Sequence, residues 1–345
     1  MKAYVYTAPY TIECKEVETP VPGPGEVRVK VKAVSICGSD TGGFKGTSSM
    51  RVAPLVMGHE FSGIVDMVGE GVTDVAIGTR TVIYPNIYCG KCSNCKAGLP
   101  NICDNRFIIG TTMPAGSYNG AMAEYVIAPA TKVMVLDDSI SFVEGSLYEP
   151  ISVALRGSKK LGDITGKTVT VFGSGPIGLL TVKCLKYLGA GTVIAMDIID
   201  ERLAVAKEVG ADYVINTQNE DAIAKVKELT HGEGADAAAD CVGISTSLNS
   251  SIKMVRNGSR VVLIGMASEA VEGFIYKHVV SHEIELVGSY CYVDELYEIG
   301  GLFKSGKFDV DKIVTCVAPI EKCAEKIAEL ASGKSKEVKV VLTYE

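Results

Sequence analysis

The chain has 345 residues, 47% hydrophobic and 22% charged, with a formal net charge of −7 and a pI near 5.3. That length exceeds one typical hydrophobic core and predicts two domains. The acidic balance leaves no basic footprint for nucleic acid, and no apolar run approaches the roughly 18 residues of a membrane span.

The first residues, MKAYVYTAPYTIECKEV, lack the basic and apolar regions of a secretory signal, so a reducing, cytoplasmic compartment is expected. From Val27 to about Val135, short alternating or β-branched runs (EVRVKVKAV, SGIVDMVG, RTVIY, AEYVIAP) are punctuated by Gly and Pro, the pattern of strands joined by turns. Within this β-rich half lie Cys37, in SICGSD, and His59-Glu60, in MGHEFSG. A thiolate, an imidazole and a carboxylate form a mixed-ligand zinc set with room for an exchangeable ligand.

Cys89, Cys92, Cys95 and Cys103 follow in the spacing C-x2-C-x2-C-x7-C. Four thiolates on one turn-rich stretch suit a tetrahedral Zn²⁺ with Zn–S distances of about 2.3 Å, a saturated site that does no chemistry. Disulfides are the alternative, but a framework built from the chain's 11 cysteines would suit a much shorter secreted protein. A further carboxylate, Glu149 in YEPISV, stands where the texture of the sequence changes.

From about Lys167, apolar strand runs (TVTVFG, TVIAMD, DYVIN, DAAADC, RVVLIG, EIELVGSY) alternate with helical stretches, which predicts a parallel sheet covered on both faces. The run Gly173-Ser174-Gly175-Pro176-Ile177-Gly178 follows the first of these strands and opens a helix. With an acid about twenty residues on, this is a full dinucleotide fingerprint. Gly173 permits the turn, Gly175 admits the pyrophosphate, and Gly178 lets helix and strand pack closely, with the helix N-terminus facing the phosphates. Asp197 is the expected ribose acid; it favours NAD over NADP because it would repel a 2′-phosphate. Arg202 either covers the adenine or is a solvated helix charge. The last fifty or so residues carry helices over 294–305 and 320–332 and a strand over 339–343, expected to return to the first domain.

The order of these motifs resembles the zinc-dependent medium-chain dehydrogenase/reductase superfamily over essentially the whole length. PGPGEVRVKV, ICGSD, GHEFSG, the four-cysteine lobe, the YEP junction, GSGPIG and DCVGISTSLNSSIKMVRNGSRVVLIG carry it; CGSD, GHEFSG, EP and SGKFDVDKIVT are similar to the polyol branch of sorbitol and galactitol-1-phosphate dehydrogenases. The resemblance implies an α/β protein: a GroES-like β-rich catalytic domain over 1–152 with a structural-zinc lobe at 86–105, a Rossmann doubly wound parallel-sheet NAD-binding domain over 153–291, and a C-terminal segment, 292–345, completing the first domain. It also implies an active site between the domains, two zinc ions per chain, NAD, a small-molecule alcohol or ketone substrate and a homo-oligomer, dimer or tetramer, without nucleic acid or membrane as partners.

Residue by residue, the resemblance implies Cys37 and His59 as catalytic zinc ligands, with Glu60 and Glu149 as alternative carboxylates, one on the metal and one standing back. Ser39 matches the hydroxyl that bonds the substrate alcohol and takes its proton. Val242, Ile264 and Gly265 join the GSGPIG residues as cofactor contacts. Many relatives carry a proton-relay histidine just after CGSD; here the tract reads Thr41-Gly42-Gly43, expected to be flexible and to widen the pocket, with proton exit through Ser39, ribose or water. The His-Arg pair that sorbitol dehydrogenases tend to carry after IVT is replaced by Cys316-Val-Ala. Arg156 either meets a substrate phosphate or carboxylate or serves as a helix or pyrophosphate contact, and Tyr118 and Tyr148 are candidate cleft residues. The expected activity is NAD-linked oxidation of a secondary alcohol, a polyol, sugar alcohol or sugar-alcohol phosphate, to the ketone. L-threonine 3-dehydrogenase or vicinal-diol dehydrogenase is the enzyme alternative, and a nucleotide-binding relative without turnover the non-enzyme one.

Overall fold

The computed structural model describes residues Met1–Glu345 and divides them into two compact units. Met1–Glu149, Leu296–Lys304 and Val314–Glu345 form the first; Pro150–Glu295 and Ser305–Ile313 form the second.

The first unit is organised on a seven-stranded sheet in the order Val133–Val135, Arg80–Ile83, Glu60–Val68, Glu26–Ser35, Lys339–Thr343, Val314–Pro319, with Tyr125–Pro129 also paired to Glu26–Ser35. Alternation in EVRVKVKAVS drives the central strand: Val27, Val29 and Val31 are buried while Lys30 is exposed, because successive side chains face opposite sides of the sheet. The core around it includes Phe61, Val65, Ile320, Ile327 and Leu342, so the chain's last helix and strand are part of the same packing. Ser35 occupies a junction. It pairs with Glu60 on one neighbouring strand and with Val341 on the other, which brings residues from three distant stretches of sequence to one end of the sheet.

The second unit holds a six-stranded parallel sheet in the order Tyr213–Asn216, Thr192–Asp197, Thr168–Phe172, Ala235–Asp240, Val255–Leu263, Glu285–Gly288. In chain order this reads 3-2-1-4-5-6, the doubly wound arrangement in which nucleotides bind where the order reverses. Its strands are the six apolar runs of the sequence, and the central ones are buried on both faces and therefore lack polar alternation.

The tail divides differently from the expected 292–345. The helix Glu295–Lys304 and the strands Val314–Pro319 and Lys339–Thr343 do join the first unit, but Ser305–Ile313 belongs to the second. Lys183 explains this: it pairs with Asp309 at 3.0 Å and lies over the Phe308 ring, holding the segment against the helix Pro176–Tyr187. The junction itself falls at 149/150 rather than 152/153. No helix is long and apolar enough to cross a membrane.

Candidate active site and metal centres

Cys37, His59 and Glu60 offer ligand atoms that all lie within 4.8 Å of one another. The local sequence explains the placement. Cys37 ends the run from the central strand and caps the helix Gly38–Phe44: its Sγ accepts from the Ser39 backbone N–H at 3.5 Å, while Asp40 accepts from the Cys37 N–H at 3.1 Å. Glu60 opens its own strand opposite Ser35. Gly42 and Gly43 are the end of the capping helix, not a loose loop, so the expected flexible tract is regular structure.

Around the trio lies a shell that the motifs did not reveal. Lys339 and Ser35 both donate to Glu60 Oε2, and the Lys339 ammonium also donates to the Ile36 carbonyl at 3.0 Å; all of these side chains are buried. Oε2 is thereby committed, leaving Oε1 as the donor Glu60 can offer. On the other side, Arg51 donates through Nε to Asp40 Oδ1 at 3.2 Å and through Nη2 to Ser39 Oγ at 2.8 Å. Nη2 also lies 3.3 Å from His59 Nδ1, and Asp40 Oδ1 lies 3.9 Å from that nitrogen. Nδ1 faces this buried pair; for Nε2 to serve as a metal ligand the ring hydrogen must sit on Nδ1, turned toward the Asp40 carboxylate rather than accepting from Arg51. Asp40 had a sequence signal, the capping-box spacing from Cys37; Arg51 and Lys339 had none.

The surroundings test whether a dication fits. Asp40 is neutralised by Arg51 and Glu60 by Lys339, which leaves the Cys37 thiol and Glu149 without a cation of their own. Burial, with Glu60 and Asp40 adding repulsion, pushes the Cys37 thiol up to about 12. Burial also raises Glu149 to about 8; His59 opposes this, while Glu60 and Cys37 reinforce it. Two acids held protonated beside an imidazole make a set that a Zn²⁺ would deprotonate and bind, so the residues fit the metal. Glu149 stands outside the gathered trio, and Glu60 is the carboxylate within it.

Cys89, Cys92, Cys95 and Cys103 form a second cluster with every sulfur within 4.8 Å of the rest. The Cys103–Cys89 and Cys92–Cys103 sulfurs are 3.5 and 3.8 Å apart, near the ~3.8 Å edge of a tetrahedron with ~2.3 Å Zn–S bonds. Backbone donors lower Cys92 to about 6, whereas burial raises Cys95 to about 12, so this set too must shed protons to hold a metal. Next to the lobe, Lys132 is buried with its ammonium 3.5 Å from the Tyr88 ring centroid and 4.8 Å from that of Tyr84.

In the second unit, Gly173 adopts φ +95°, and Gly178 packs so tightly that an added Cβ would collide with the Gly173 carbonyl oxygen. Gly175 faces open space within 4 Å, at the N-terminus of the helix Pro176–Tyr187, where a Cβ would intrude on a pyrophosphate. Pro176 and Ile177 form the first turn of that helix. Asp197 is buried, accepting from the Ser174 N–H at 2.7 Å and from the N–H groups of Ile198 and Ile199 at 2.8 and 3.0 Å. It therefore anchors the glycine turn. Arg202 lies 4.0 Å from Asp197 and is partly exposed. Asp240 organises the facing loop, accepting from the N–H groups of Val242 and Gly243 at 3.0 and 3.1 Å. A Cβ on Gly265 would collide with the Val242 backbone, so these loops run in direct backbone contact. Ile264, just past the strand Val255–Leu263, packs its side chain onto Gly157. Arg156 is committed to Glu295 at 3.2 Å, with both side chains largely buried. Tyr148 stacks on Phe303, and Tyr118 meets Phe107 edge-on.

Residues 23–138 match the family model of the alcohol dehydrogenase GroES-like domain, and residues 176–305 match that of zinc-binding dehydrogenases. The chain is 31% identical to a sorbitol dehydrogenase of Bacillus subtilis over 99% of its own length and 97% of the relative's. It is 34% identical to an L-threonine 3-dehydrogenase of Pyrococcus abyssi, over 99% of both chains. The crystal structure of galactitol-1-phosphate dehydrogenase from Escherichia coli superposes with a TM-score of 0.92 at 25% identity, covering 100% of both chains.

Proposed function

The chain belongs to the zinc-dependent medium-chain dehydrogenase/reductase superfamily, and from that membership we propose a zinc- and NAD-dependent polyol dehydrogenase that oxidises a secondary alcohol of a polyol, sugar alcohol or sugar-alcohol phosphate to the ketone. The observation that carries the site reading is the gathering of Cys37, His59 and Glu60 with no cation dedicated to the Cys37 thiol. Cys37 Sγ, His59 Nε2 and Glu60 Oε1 would hold the catalytic zinc, and Glu149 is the second carboxylate at the site. When bound, zinc supplies Lewis-acid polarisation of the substrate oxygen, and NAD supplies the hydride acceptor.

The protein's own share of the reaction is positional and acid–base. Ser39 takes the proton of the alcohol at Oγ as it passes its own hydroxyl hydrogen on to water or the ribose, no histidine standing in the following tract, and both transfers reverse in reduction. Asp40 Oδ1 lies 3.9 Å from His59 Nδ1, the side from which a carboxylate would orient the imidazole. Gly173, Gly175 and Gly178 seat the dinucleotide, while Val242 and Gly265 form the backbone rim facing it. Asp197 at the strand end favours a free ribose over a 2′-phosphate.

The chain's eleven cysteines, four of them gathered in a metal-type cluster, suit a reducing, cytoplasmic setting. The strand Glu285–Gly288 is an edge of its sheet with Glu285 and Gly288 exposed, which supports a homo-oligomer.

The experiment is NAD reduction against pentitols, hexitols, their phosphates, L-threonine and butanediols. The highest kcat/KM is expected on a polyol or polyol phosphate. A clear preference for threonine would overturn the substrate reading in favour of the alternative carried by the threonine dehydrogenase relatives.

A further inference from the structure

Arg51 is a buried cation that no motif of the sequence called for. Its guanidinium has four contacts: Nε on Asp40 Oδ1 at 3.2 Å, Nη1 on the Met50 carbonyl at 3.1 Å, Nη2 on Ser39 Oγ at 2.8 Å, and Nη2 again 3.3 Å from His59 Nδ1. Room for it is built into the capping helix. A Cβ at Gly43 would lie 2.5 Å from Arg51 Cγ and 2.6 Å from its Cβ, so the glycine is required by the close approach of the arginine stem.

We propose that Arg51 is a positioning residue for the reaction, acting through the Ser39 hydroxyl. A guanidinium has only donors and stays charged at every working pH. Ser39 Oγ must therefore accept from Nη2, and its own hydrogen is turned away from Arg51. One lone pair of the hydroxyl is occupied by a fixed partner, so its remaining donor and acceptor positions are set instead of rotating freely. This preorganises the hydroxyl for proton exchange with a substrate oxygen. The contact to Ser39 comes from a residue twelve positions away, seated by Gly43.

The inference rests on the assignment of Ser39 in the proposed function, and a double-mutant cycle separates the two. Removing Arg51 outright would strand Asp40 as a buried charge, so the conservative variant Arg51→Lys keeps the cation while losing the fork. Gly43→Ala is a second variant; it displaces Arg51 without deleting it. With sorbitol and NAD, or the best polyol of the panel, Ser39→Ala is expected to lower kcat by about a hundredfold. Arg51→Lys and Gly43→Ala should each lower kcat by about tenfold with little change in KM, and by less than about twofold when combined with Ser39→Ala. Thermal melts of the zinc-loaded proteins supply a readout other than turnover: the Tm losses of Arg51→Lys and Ser39→Ala should not add. Equal kcat losses from Arg51→Lys in the wild-type and Ser39→Ala backgrounds would overturn the role of Arg51. Unchanged kcat in Ser39→Ala would instead overturn the assignment of Ser39, and the inference with it.

Discussion

Lys339 donates its buried ammonium to the carboxylate of Glu60, which stands 279 residues earlier in the chain. The contact exists because the last strand lies beside Glu26–Ser35 and the Glu60 strand lies on its other side. One oxygen of Glu60 is thereby fixed and the other is left for a metal. Lys339→Met should therefore destabilise the protein by about 3–5 kcal/mol, the usual cost of stranding one buried charge of a pair, and should lower zinc retention. Chemical denaturation and metal analysis check this, and adding Glu60→Gln should recover part of the stability but not the zinc.

Folding raises the Glu149 pKa from its ordinary 4.5 to about 8, chiefly by burial. Between those values the native metal-free protein binds a proton that the unfolded chain has released. Stability of the metal-free protein should then fall as pH rises through this window, by at most roughly 1.4 kcal/mol per pH unit. Glu149→Gln should flatten that slope in urea melts at pH 5 and pH 8. Zinc should remove it as well, because a metal ion replaces the proton as counter-charge.

Asp197→Ala is expected to weaken NAD use and to reduce discrimination against NADP. The loss should exceed that of a ribose contact alone, because the N–H groups of Ser174, Ile198 and Ile199 lose their acceptor together. Asp197→Asn keeps an acceptor oxygen and should retain more binding. NADH fluorescence titration with both variants measures the difference; a wild type that already prefers NADP would contradict the reading of this strand end.

Loss of a lobe ligand should act on stability before catalysis. Cys95→Ser is expected to lower Tm and remove about one zinc per chain, with kcat initially preserved below the melting range. A Cys95→Ser protein as stable as wild type would show that the lobe does not brace the fold.

Much of this was legible in the sequence, for identifiable reasons. The six parallel strands announced themselves as apolar runs, and GSGPIG with Asp197 is a local motif whose geometry follows from its own backbone. Cys37, His59, Glu60 and the four lobe cysteines carry distinctive side chains at distinctive spacings. What was not legible is the shell that links them. Lys339 looks like an ordinary alternating-strand residue, and Arg51 lies in a stretch with no periodicity; each takes its meaning from a partner that only the sheet topology or the Gly43 gap supplies. The same limit explains the tail, where Lys183 draws Asp309 and Phe308 to the second unit, and the Gly42-Gly43 tract, which reads as loose in sequence and is helical. Arg156, a candidate for a substrate anion, is instead paired with Glu295, 139 residues away.

Metal content and turnover in Cys37→Ser decide whether Cys37, His59 and Glu60 hold a catalytic zinc distinct from the lobe. A serine can keep the helix cap, so the fold and NADH binding should persist. About two zinc ions per chain are expected in the wild type and about one in the variant, with turnover abolished. Unchanged zinc content together with unchanged activity would contradict the assignment.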